Sequence, residues 1–496
     1  MDKQEDFSGS ALFERSEIRP GKVPLWVKIT QGVGSLPGQH KEWTLTTLLL
    51  LYYSQVLGLP ATYAAVALAI SIAVDAITDP LIGGFSDNYK SKYGRRHPFM
   101  FVAILPTGLC VFALFAPPQG LGEQLLVTWL LIFTVTTRVF YTFFALPWNA
   151  IAAELSQDYA ERTSIITYRM MVGWTGGVAF IFLVYTFVFP STEAHANGLL
   201  DPGRYTIFAW VLATLMVTWM VLTSFATLTQ LKYLPQPTAL IGRQSLVDLL
   251  QRTKQGLRNK NFLLLLCATL IFGGVHGTGQ VFDVYMNIYY WEFSTEDIRW
   301  FSLVVFGAIL SFMTAGILQK RFEKKDIMLT SLGLVTVLAM VKVAARFMDI
   351  LPANGEQLLL ALFIVHGSTM AYFGSMVLIM FASMMADIVD DQELRIGLRQ
   401  EGVFSAGITF ASKATTSLGL IIGGVLLDQV IRFPAEANAH QVAPDVLFRL
   451  AFVDGIAIPA FNVFALVLLY GYSLTHESLL DIQAQLRARE GKLGSE

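Results

Sequence analysis

Twelve long, continuously apolar runs are the feature that most limits how this chain can fold. A helix needs about 20 mostly apolar residues to cross roughly 30 Å of hydrocarbon, and the runs lack the strict alternation of a membrane β-strand. The sequence therefore predicts an all-α integral membrane protein with twelve transmembrane helices. The runs cover residues of about 26–57, 61–88, 97–117, 123–152, 163–190, 205–231, 261–291, 296–319, 326–349, 356–386, 401–431 and 446–472.

The composition agrees with a protein that lies in a lipid bilayer. The chain has 496 residues, of which 54% are hydrophobic and only 15% are Asp, Glu, Lys or Arg, whereas soluble domains carry roughly 25% charged residues. The formal net charge of −2 provides no basic excess, so we expect no nucleic-acid partner.

Signals of enzyme chemistry are missing from the sequence. The seven histidines show no metal-ligand spacing, and both cysteines, Cys110 and Cys267, lie inside apolar runs, which excludes a disulfide framework and a cysteine-based metal site. The glycine-rich stretch 273–279 lacks the Lys-Ser/Thr ending of a phosphate-binding loop. We therefore predict a protein that is not an enzyme and that uses no cofactor.

The basic residues indicate the orientation in the membrane. If the N-terminus lies inside, the inside segments carry 24 of the 35 Lys and Arg residues, and the outside loops carry only Arg204, Arg299 and Arg432. This bias predicts that both termini are cytoplasmic.

The longest inside loop divides the chain into two halves of six helices. Basic loops follow the second helix (83–96) and the eighth helix (316–325), which suggests an internal duplication, although topology alone can also produce two such loops. Six-plus-six repeats are the architecture of major-facilitator carriers. The predicted segments are an N-terminal cytoplasmic tail (1–25), an N-terminal six-helix bundle (26–231), a central cytoplasmic loop (232–260), a C-terminal six-helix bundle (261–472) and a C-terminal cytoplasmic tail (473–496).

Two acidic residues in the second apolar run are the strongest candidates for an ion site. Asp75 and Asp79 are four residues apart in VDAITDP, which places them on one helix face, about one turn apart. Two such carboxylates resist joint ionisation, so a bound Na⁺ or a shared proton would relieve their repulsion. Thr78 offers a hydroxyl nearby, and Pro80 can free a carbonyl oxygen. The alternative is that both aspartates form structural salt bridges with buried basic residues.

Other polar residues within the apolar runs are candidates for the substrate site. Arg169 in the fifth run can fork onto hydroxyl groups or a carboxylate, and Lys413 lies deep in the eleventh run. Tyr141 and Trp148 in the fourth run can stack on a sugar face, and Thr142 can complete the cation shell. Structural pairing and ordinary packing remain the alternatives for these residues.

The segment GGFSDNYKSKYGRRHPF (83–99) is typical of a hinge and a gate. Asp87 can cap or pair near a cytoplasmic helix end, and Arg95 and Arg96 can close a gate. The alternative is a solvated charged loop.

These residues resemble the glycoside–pentoside–hexuronide:cation symporter family. The resemblance is carried by DAITDPLIGGFSD with GRRHPF, by YTFFALPWNAIAAEL with ERTSIITYRM, and by ADIVDDQELRIGLRQEGVFSAG with a later lysine. It covers about residues 30–472. It implies that Asp75, Asp79 and Thr142 take the positions of the family's Na⁺ site, with Thr78 where a sugar-transporting member has Asn.

The resemblance also implies roles for residues elsewhere. Arg169 takes the position of the sugar-binding arginine, and Lys413 that of the family's lysine on the eleventh helix. The residues implied in cytoplasmic gating after the tenth helix are Asp387, Asp390, Arg395, Arg399 and Glu401.

The sequence departs from the family pattern where sugar is recognised. An Asp of the fourth helix is replaced by Ala145, and the Lys-Asp pair of the first helix aligns with Gly38 and Gln39, so Glu42 is a candidate substitute. The family's neighbouring Trp of the fourth helix appears as Asn149, next to Trp148. The substrate-binding set predicted from the residues and the resemblance is Arg169, Tyr141, Trp148, Asn149, Gln39, Glu42 and Lys413.

We predict a secondary active transporter that moves a sugar or glycoside together with Na⁺ or H⁺ by alternating access. It is expected in the plasma (inner) membrane, as a monomer with a small-molecule substrate. The same pattern is similar to that of vertebrate sodium-dependent lysolipid carriers, so an amphiphilic substrate is the alternative. A non-transporting scaffold is disfavoured, because the tail from Ser473 is too short for an added domain.

Overall fold

The computed structural model describes residues 13–14, 17, 19, 21–237, 259–396, 401–435 and 442–493. The chain forms two compact units, Met1–Arg243 and Gln244–Glu496.

The described part of the first unit contains six long helical segments. A two-residue strand, β1 (Phe13–Glu14), pairs antiparallel with β2 (Gln236–Pro237) and joins the chain before the first helix to the chain after the sixth. The helices are α1 (25–56), α2 (Ala61–Asn88), α3 (His97–Phe115), α4 (Glu123–Glu154), α5 (159–188) and α6 (Pro202–Leu228).

Among its described residues, the second unit contains another six long helices, followed by a polar helix, α13 (His476–Leu493), that packs on the end of the tenth. The six are α7 (Lys260–Tyr290), α8 (Thr295–Leu318), α9 (Lys324–Phe347), α10 (Gln357–Ile396), α11 (401–431) and α12 (Pro444–Tyr470).

Within the described residues, the eleven helices α2 to α12 are long and apolar enough to cross a membrane. The first segment, α1, differs because a turn at 34–35 and two π-helical turns, Thr44–Leu48 and Tyr52–Val56, divide it. Pro37 lies in the first turn after the break, where its missing N–H costs no helical hydrogen bond. The predicted run 26–57 is therefore helical almost throughout, although it is not one regular α-helix.

Polar side chains fix where several of the helices begin. Asp158, Asp201 and Asn259 each accept a hydrogen bond from a backbone N–H in the first turn of α5, α6 and α7. Ser294 forms a reciprocal capping box with Asp297 at the start of α8. Such caps satisfy N–H groups that have no partner within the helix.

Helix α2 continues through a proline. Pro80 lies inside the α-helix Ala61–Asn88. It cannot donate to the carbonyl oxygen four residues earlier, at Ala76, and so leaves one polar atom beside the aspartates without its usual bond.

The two units use the same scheme of helix packing. In the first unit α1 packs on α5 and α6, α2 and α3 both pack on α4, and α3 packs on α6. In the second unit α7 packs on α11 and α12, α8 and α9 both pack on α10, and α9 packs on α12. Each pair of packed helices in the first unit has a counterpart in the second unit whose helix numbers are higher by six. This is the pattern expected for a duplicated six-helix unit.

The helices present apolar side chains outward as well as inward. On α3, Val102, Leu105 and Leu109 are all at least 60% exposed, whereas Met100 and Leu114 are buried. The outward residues recur at a spacing of three to four, which gives one apolar stripe. An apolar outer stripe suits a protein whose surroundings are lipid rather than water.

Candidate functional site

The paired aspartates of α2 lie against a hydroxyl of α4. The Thr142 Oγ1 is 2.9 Å from the Asp75 Oδ1 and 3.2 Å from the Asp79 Oδ1. Asp75 and Thr142 are both buried, and Asp79 is half-buried. A threonine hydroxyl has a single hydrogen and can give one full-strength hydrogen bond. The hydroxyl oxygen therefore lies against the second carboxylate oxygen without a hydrogen between them. A proton or a cation stabilises such a pair of electron-rich atoms.

A buried arginine lies beside this pair. The Arg138 Nε donates to the Ser71 Oγ at 3.0 Å, and its Nη1 is 4.0 Å from the Asp75 Oδ2. The same Nη1 is 3.7 Å from the Glu42 Oε2 on α1. Arg138 lies one helical turn before Thr142, so one face of α4 presents both residues to α2.

A lysine on α1 completes the charged group. The Lys41 Nζ is 3.3 Å from the Glu42 Oε2 and lies over the Tyr141 ring, 4.7 Å from its centroid. Lys41 is 7% exposed, whereas the Glu42 side chain is 50% exposed. Glu42, predicted as a substrate residue, thus lies against two basic side chains next to the paired aspartates.

The arginine of α5 contacts two predicted substrate residues on α4. The Arg169 guanidinium lies 3.9 Å from the centre of the Trp148 ring, and its Nη2 donates to the Asn149 Oδ1. Trp148 is buried and Asn149 is exposed. The indole face is therefore covered by the guanidinium, and the amide orients the guanidinium edge.

Trp148 is fixed by a reciprocal contact with α1. Its Nε1 donates to the Gln31 carbonyl oxygen at 3.0 Å, and the Gln31 side chain donates to the Trp148 carbonyl oxygen at 2.9 Å. A Cβ atom at Gly34 would overlap the indole, and one at Gly38 would overlap the Tyr141 hydroxyl. The two glycines let α1 approach the aromatic side chains of α4 closely.

The basic pair after α2 binds one carboxylate at the end of α4. Arg95 and Arg96 both donate to Glu154, and the Arg96 Nη2 is also 3.2 Å from the Asp87 Oδ1. Both arginines are buried. Burial lowers the pKa of Arg95, and the Glu154 carboxylate opposes that change. The predicted gate residues Asp87, Arg95 and Arg96 therefore meet in one ion-pair network that joins three helix ends.

The second unit has an ion pair in the corresponding place. The Lys324 Nζ, at the start of α9, is 2.7 Å from the Asp387 Oδ2 on α10. Asp390 accepts a hydrogen bond from Gln483 of α13 at 3.3 Å, and Arg395 bonds Asp391 at 3.0 Å within α10. Arg399 lies outside the described residues, and so does the side chain of Glu401.

The remaining predicted residues are Thr78, Gln39 and Lys413. The Thr78 hydroxyl donates to the Asp75 backbone carbonyl oxygen at 3.3 Å, within its own helix. Gln39 is exposed on α1, where its side chain borders Gly173 and Gly177 of α5. Lys413 is half-buried on α11, in the second unit.

Sequence reasoning missed the partners that these residues find on other helices. Arg138 stands out in the sequence as a charge in an apolar run, but nothing there indicates that it meets both Asp75 and Glu42. Glu154 lies at the end of α4, where charges are common, whereas Lys41 lies midway along the predicted run 26–57. A signal was therefore available for Arg138, which is four residues before Thr142, and for Lys41, which is next to Glu42.

Comparison with known proteins gives one family and several relatives over the full length. Residues 30–476 match a family model described as MFS/sugar transport protein. The uncharacterized symporter sll1374 of Synechocystis sp. is 26% identical and covers 95% of this chain and 98% of its own length. The putative glycoside/cation symporter YagG of Escherichia coli is 24% identical and covers 91% of this chain and 93% of its own length.

A partial relative and a solved structure extend the comparison. The sodium-dependent lysophosphatidylcholine symporter 1-A of Danio rerio is 30% identical over 166 residues, which are 33% of this chain and 31% of the relative. The crystal structure of the nucleoside transporter NupG is 14% identical and covers 90% of this chain and 99% of its own, with a TM-score of 0.57. That likeness confirms the predicted fold class.

Proposed function

Because the chain belongs to the MFS/sugar transport protein family, and is therefore a secondary transporter rather than an enzyme, we propose that it carries a sugar or glycoside together with Na⁺ or H⁺. The names of the full-length relatives agree with the cation symporter family that the motifs predicted. The chain is a multi-pass membrane protein. We propose that it lies in the plasma (inner) membrane as a monomer, with both termini in the cytoplasm.

The contact of Thr142 with both Asp75 and Asp79 carries the cation-coupling part of the proposal. Two carboxylate oxygens of α2 lie within 3.2 Å of the Thr142 hydroxyl of α4, so three oxygen atoms from two helices lie together. Oxygen atoms are the ligands that hard cations prefer. A cation or a proton there removes the repulsion between the carboxylates. The same three atoms serve Na⁺ or H⁺, so both ions remain in the proposal.

The group around Arg169 supports a hydroxyl-rich or anionic substrate. A guanidinium offers several donors in one plane, and Asn149 adds an exposed amide beside it. Trp148 packs beneath the guanidinium, so its part in the proposal is to hold Arg169 flat. The family description and the glycoside/cation relative favour a sugar or glycoside among such substrates.

Transport in proteoliposomes tests cation coupling. At a membrane potential of about 100 mV, one charge contributes about 2.3 kcal/mol, and a tenfold Na⁺ gradient adds about 1.4 kcal/mol. A neutral solute that moves with one ion is then accumulated roughly 100- to 1,000-fold. We expect Asp75→Asn and Asp79→Asn to abolish accumulation while downhill exchange continues.

The matched control changes an aspartate outside the candidate site. Asp445 forms an exposed pair with Arg449 one turn along α12, so Asp445→Asn should accumulate substrate as the unaltered protein does. Normal accumulation by both α2 variants would refute the assignment of the coupling site.

A lysolipid-like amphiphile is the second candidate substrate. The partial relative from Danio rerio favours this candidate, because that relative is named as a sodium-dependent lysophosphatidylcholine symporter. Ala145 also stands where the family's sugar carrier has an acidic residue. Binding should be measured across glycosides, hexuronides and lysolipids, with and without Na⁺. Lysolipid binding without any sugar signal would replace the first candidate by the second.

A further inference from the structure

Arg138 is held in an unusual way for a buried arginine. The Arg138 side chain is 4% exposed, yet its contacts with Glu42 and Asp75, at 3.7 and 4.0 Å, are both longer than a hydrogen bond. Its Nη2 is buried and has no hydrogen-bond partner in the part of the chain that the structure describes. Arginine usually binds one carboxylate with two parallel hydrogen bonds. Here the guanidinium is shared between two carboxylates on different helices.

The charges of this group nearly balance. Glu42, Asp75 and Asp79 bring three negative charges, and Lys41 and Arg138 bring two positive charges. Among these five side chains, the acidic residues outnumber the basic residues by one. Without Arg138 the acidic residues of this group would outnumber its basic residues by two, and the attraction for a cation would increase.

We propose that Arg138 is the internal counter-charge that sets the affinity of this site for its coupling cation, and that Glu42 belongs to the same ion site. The inference rests on the proposed function, because it takes the Asp75–Asp79–Thr142 group as the place where the cation binds. The sequence analysis assigned Glu42 to the substrate-binding set, whereas this inference assigns it to the charged residues around the ion.

Through Arg138, ion binding on α2 can also affect the contact between α4 and α1. A cation on Asp75 and Asp79 weakens the attraction between Asp75 and Arg138, whereas the attraction of Glu42 for Arg138 is unchanged. The guanidinium then moves toward Glu42, and a contact between α4 and α1 strengthens as the ion binds on α2. Arg138 is thus a positioning residue that acts through its two carboxylates.

Charge compensation in purified full-length protein tests this inference. Na⁺ binding is measured by calorimetry in a choline chloride background for Arg138→Gln, Glu42→Gln and the double variant. The coupling energy of charges at these distances predicts that Arg138→Gln binds Na⁺ at least about tenfold more tightly and that Glu42→Gln binds it at least about tenfold more weakly. The double variant restores the original charge and should bind within about threefold of the unaltered protein.

Two controls separate charge from folding. Arg138→Lys keeps the charge and should stay within about threefold of the unaltered protein. Arg204→Gln removes a positive charge that pairs with Asp201 at the start of α6, and it should leave Na⁺ affinity unchanged. Size-exclusion profiles and melting midpoints report whether each variant is folded. If Arg138→Gln does not fold, the Na⁺ affinities of Glu42→Gln and of the double variant test the inference.

The outcomes distinguish this inference from the proposed function. Na⁺ binding that is lost in Asp75→Asn but unchanged in Arg138→Gln, or absence of compensation in the double variant, overturns the role of Arg138 alone. No Na⁺ binding by the unaltered protein overturns sodium coupling, and the same series is then titrated with protons. The variants are expected to follow the same order of affinity for protons, and any other order overturns the proposed role of Arg138.

Discussion

Removing the Thr142 hydroxyl is the sharpest test of the coupling-ion site. Thr142→Val keeps the shape of the side chain and deletes the hydroxyl that contacts both aspartates, at 2.9 and 3.2 Å. Hydrogen bonds to charged groups contribute about 1.5–3 kcal/mol. Because Thr142 is 4% exposed, water replaces the hydroxyl poorly. We therefore expect cation affinity to fall roughly 10- to 150-fold.

The assay is cation binding to the purified protein, with uptake in proteoliposomes as the second readout. Thr142→Ser retains the hydroxyl and should keep most of the affinity. Thr137 lies on the same helix, is fully buried, and has a hydroxyl with no hydrogen-bond partner in the described part of the chain. Thr137→Val should therefore leave cation affinity unchanged, since no bond is lost.

Two results would refute this reasoning. One is Thr142→Val that binds the coupling cation as the unaltered protein does. The other is an equal loss in Thr137→Val, because the effect would then come from altered packing of α4 and not from the lost ligand.

Three further predictions concern other parts of the first unit. Glu154→Gln leaves two buried guanidinium groups without their main carboxylate, and loss of a buried ion-pair partner costs up to about 3–5 kcal/mol; the melting midpoint should fall, and an unchanged midpoint would contradict a buried network. Arg169→Lys loses the planar stack on Trp148, so substrate affinity should fall at least tenfold in a binding assay while cation affinity stays constant. Gly34→Ala forces a Cβ into the indole and should cost about 1–3 kcal/mol in thermal unfolding, whereas Gly84→Ala meets open space and should cost far less.

The helices were largely predictable because their signal is local. The length of an apolar run can be read directly from the sequence. The structure has α2 at Ala61–Asn88 and α12 at Pro444–Tyr470, close to the predicted 61–88 and 446–472. The break in α1 was harder to foresee. Its cause is local, at Gly34 and Pro37, but a single turn within a long apolar run does not change the hydropathy pattern enough to be recognised.

The site was predictable only where its residues share one helix or a family motif. The spacing of Asp75 and Asp79 implies a common face, and the resemblance adds Thr142. Whether Arg138 reaches Asp75 depends on how α4 packs on α2, and periodicity within one helix carries no information about that. Glu154 was missed for the same reason, since its partners lie about 60 residues earlier in the chain.

The stacking of Arg169 on Trp148 gives this protein a built-in optical reporter. The indole emission depends on the charge above the ring, and here a guanidinium lies 3.9 Å from the ring centre while the indole N–H is fixed on Gln31. A substrate that draws Arg169 away from the ring will change the emission of Trp148. The other eight of the nine tryptophans form a background that Trp148→Phe leaves in place, so the difference between the two spectra follows one side chain through the transport cycle.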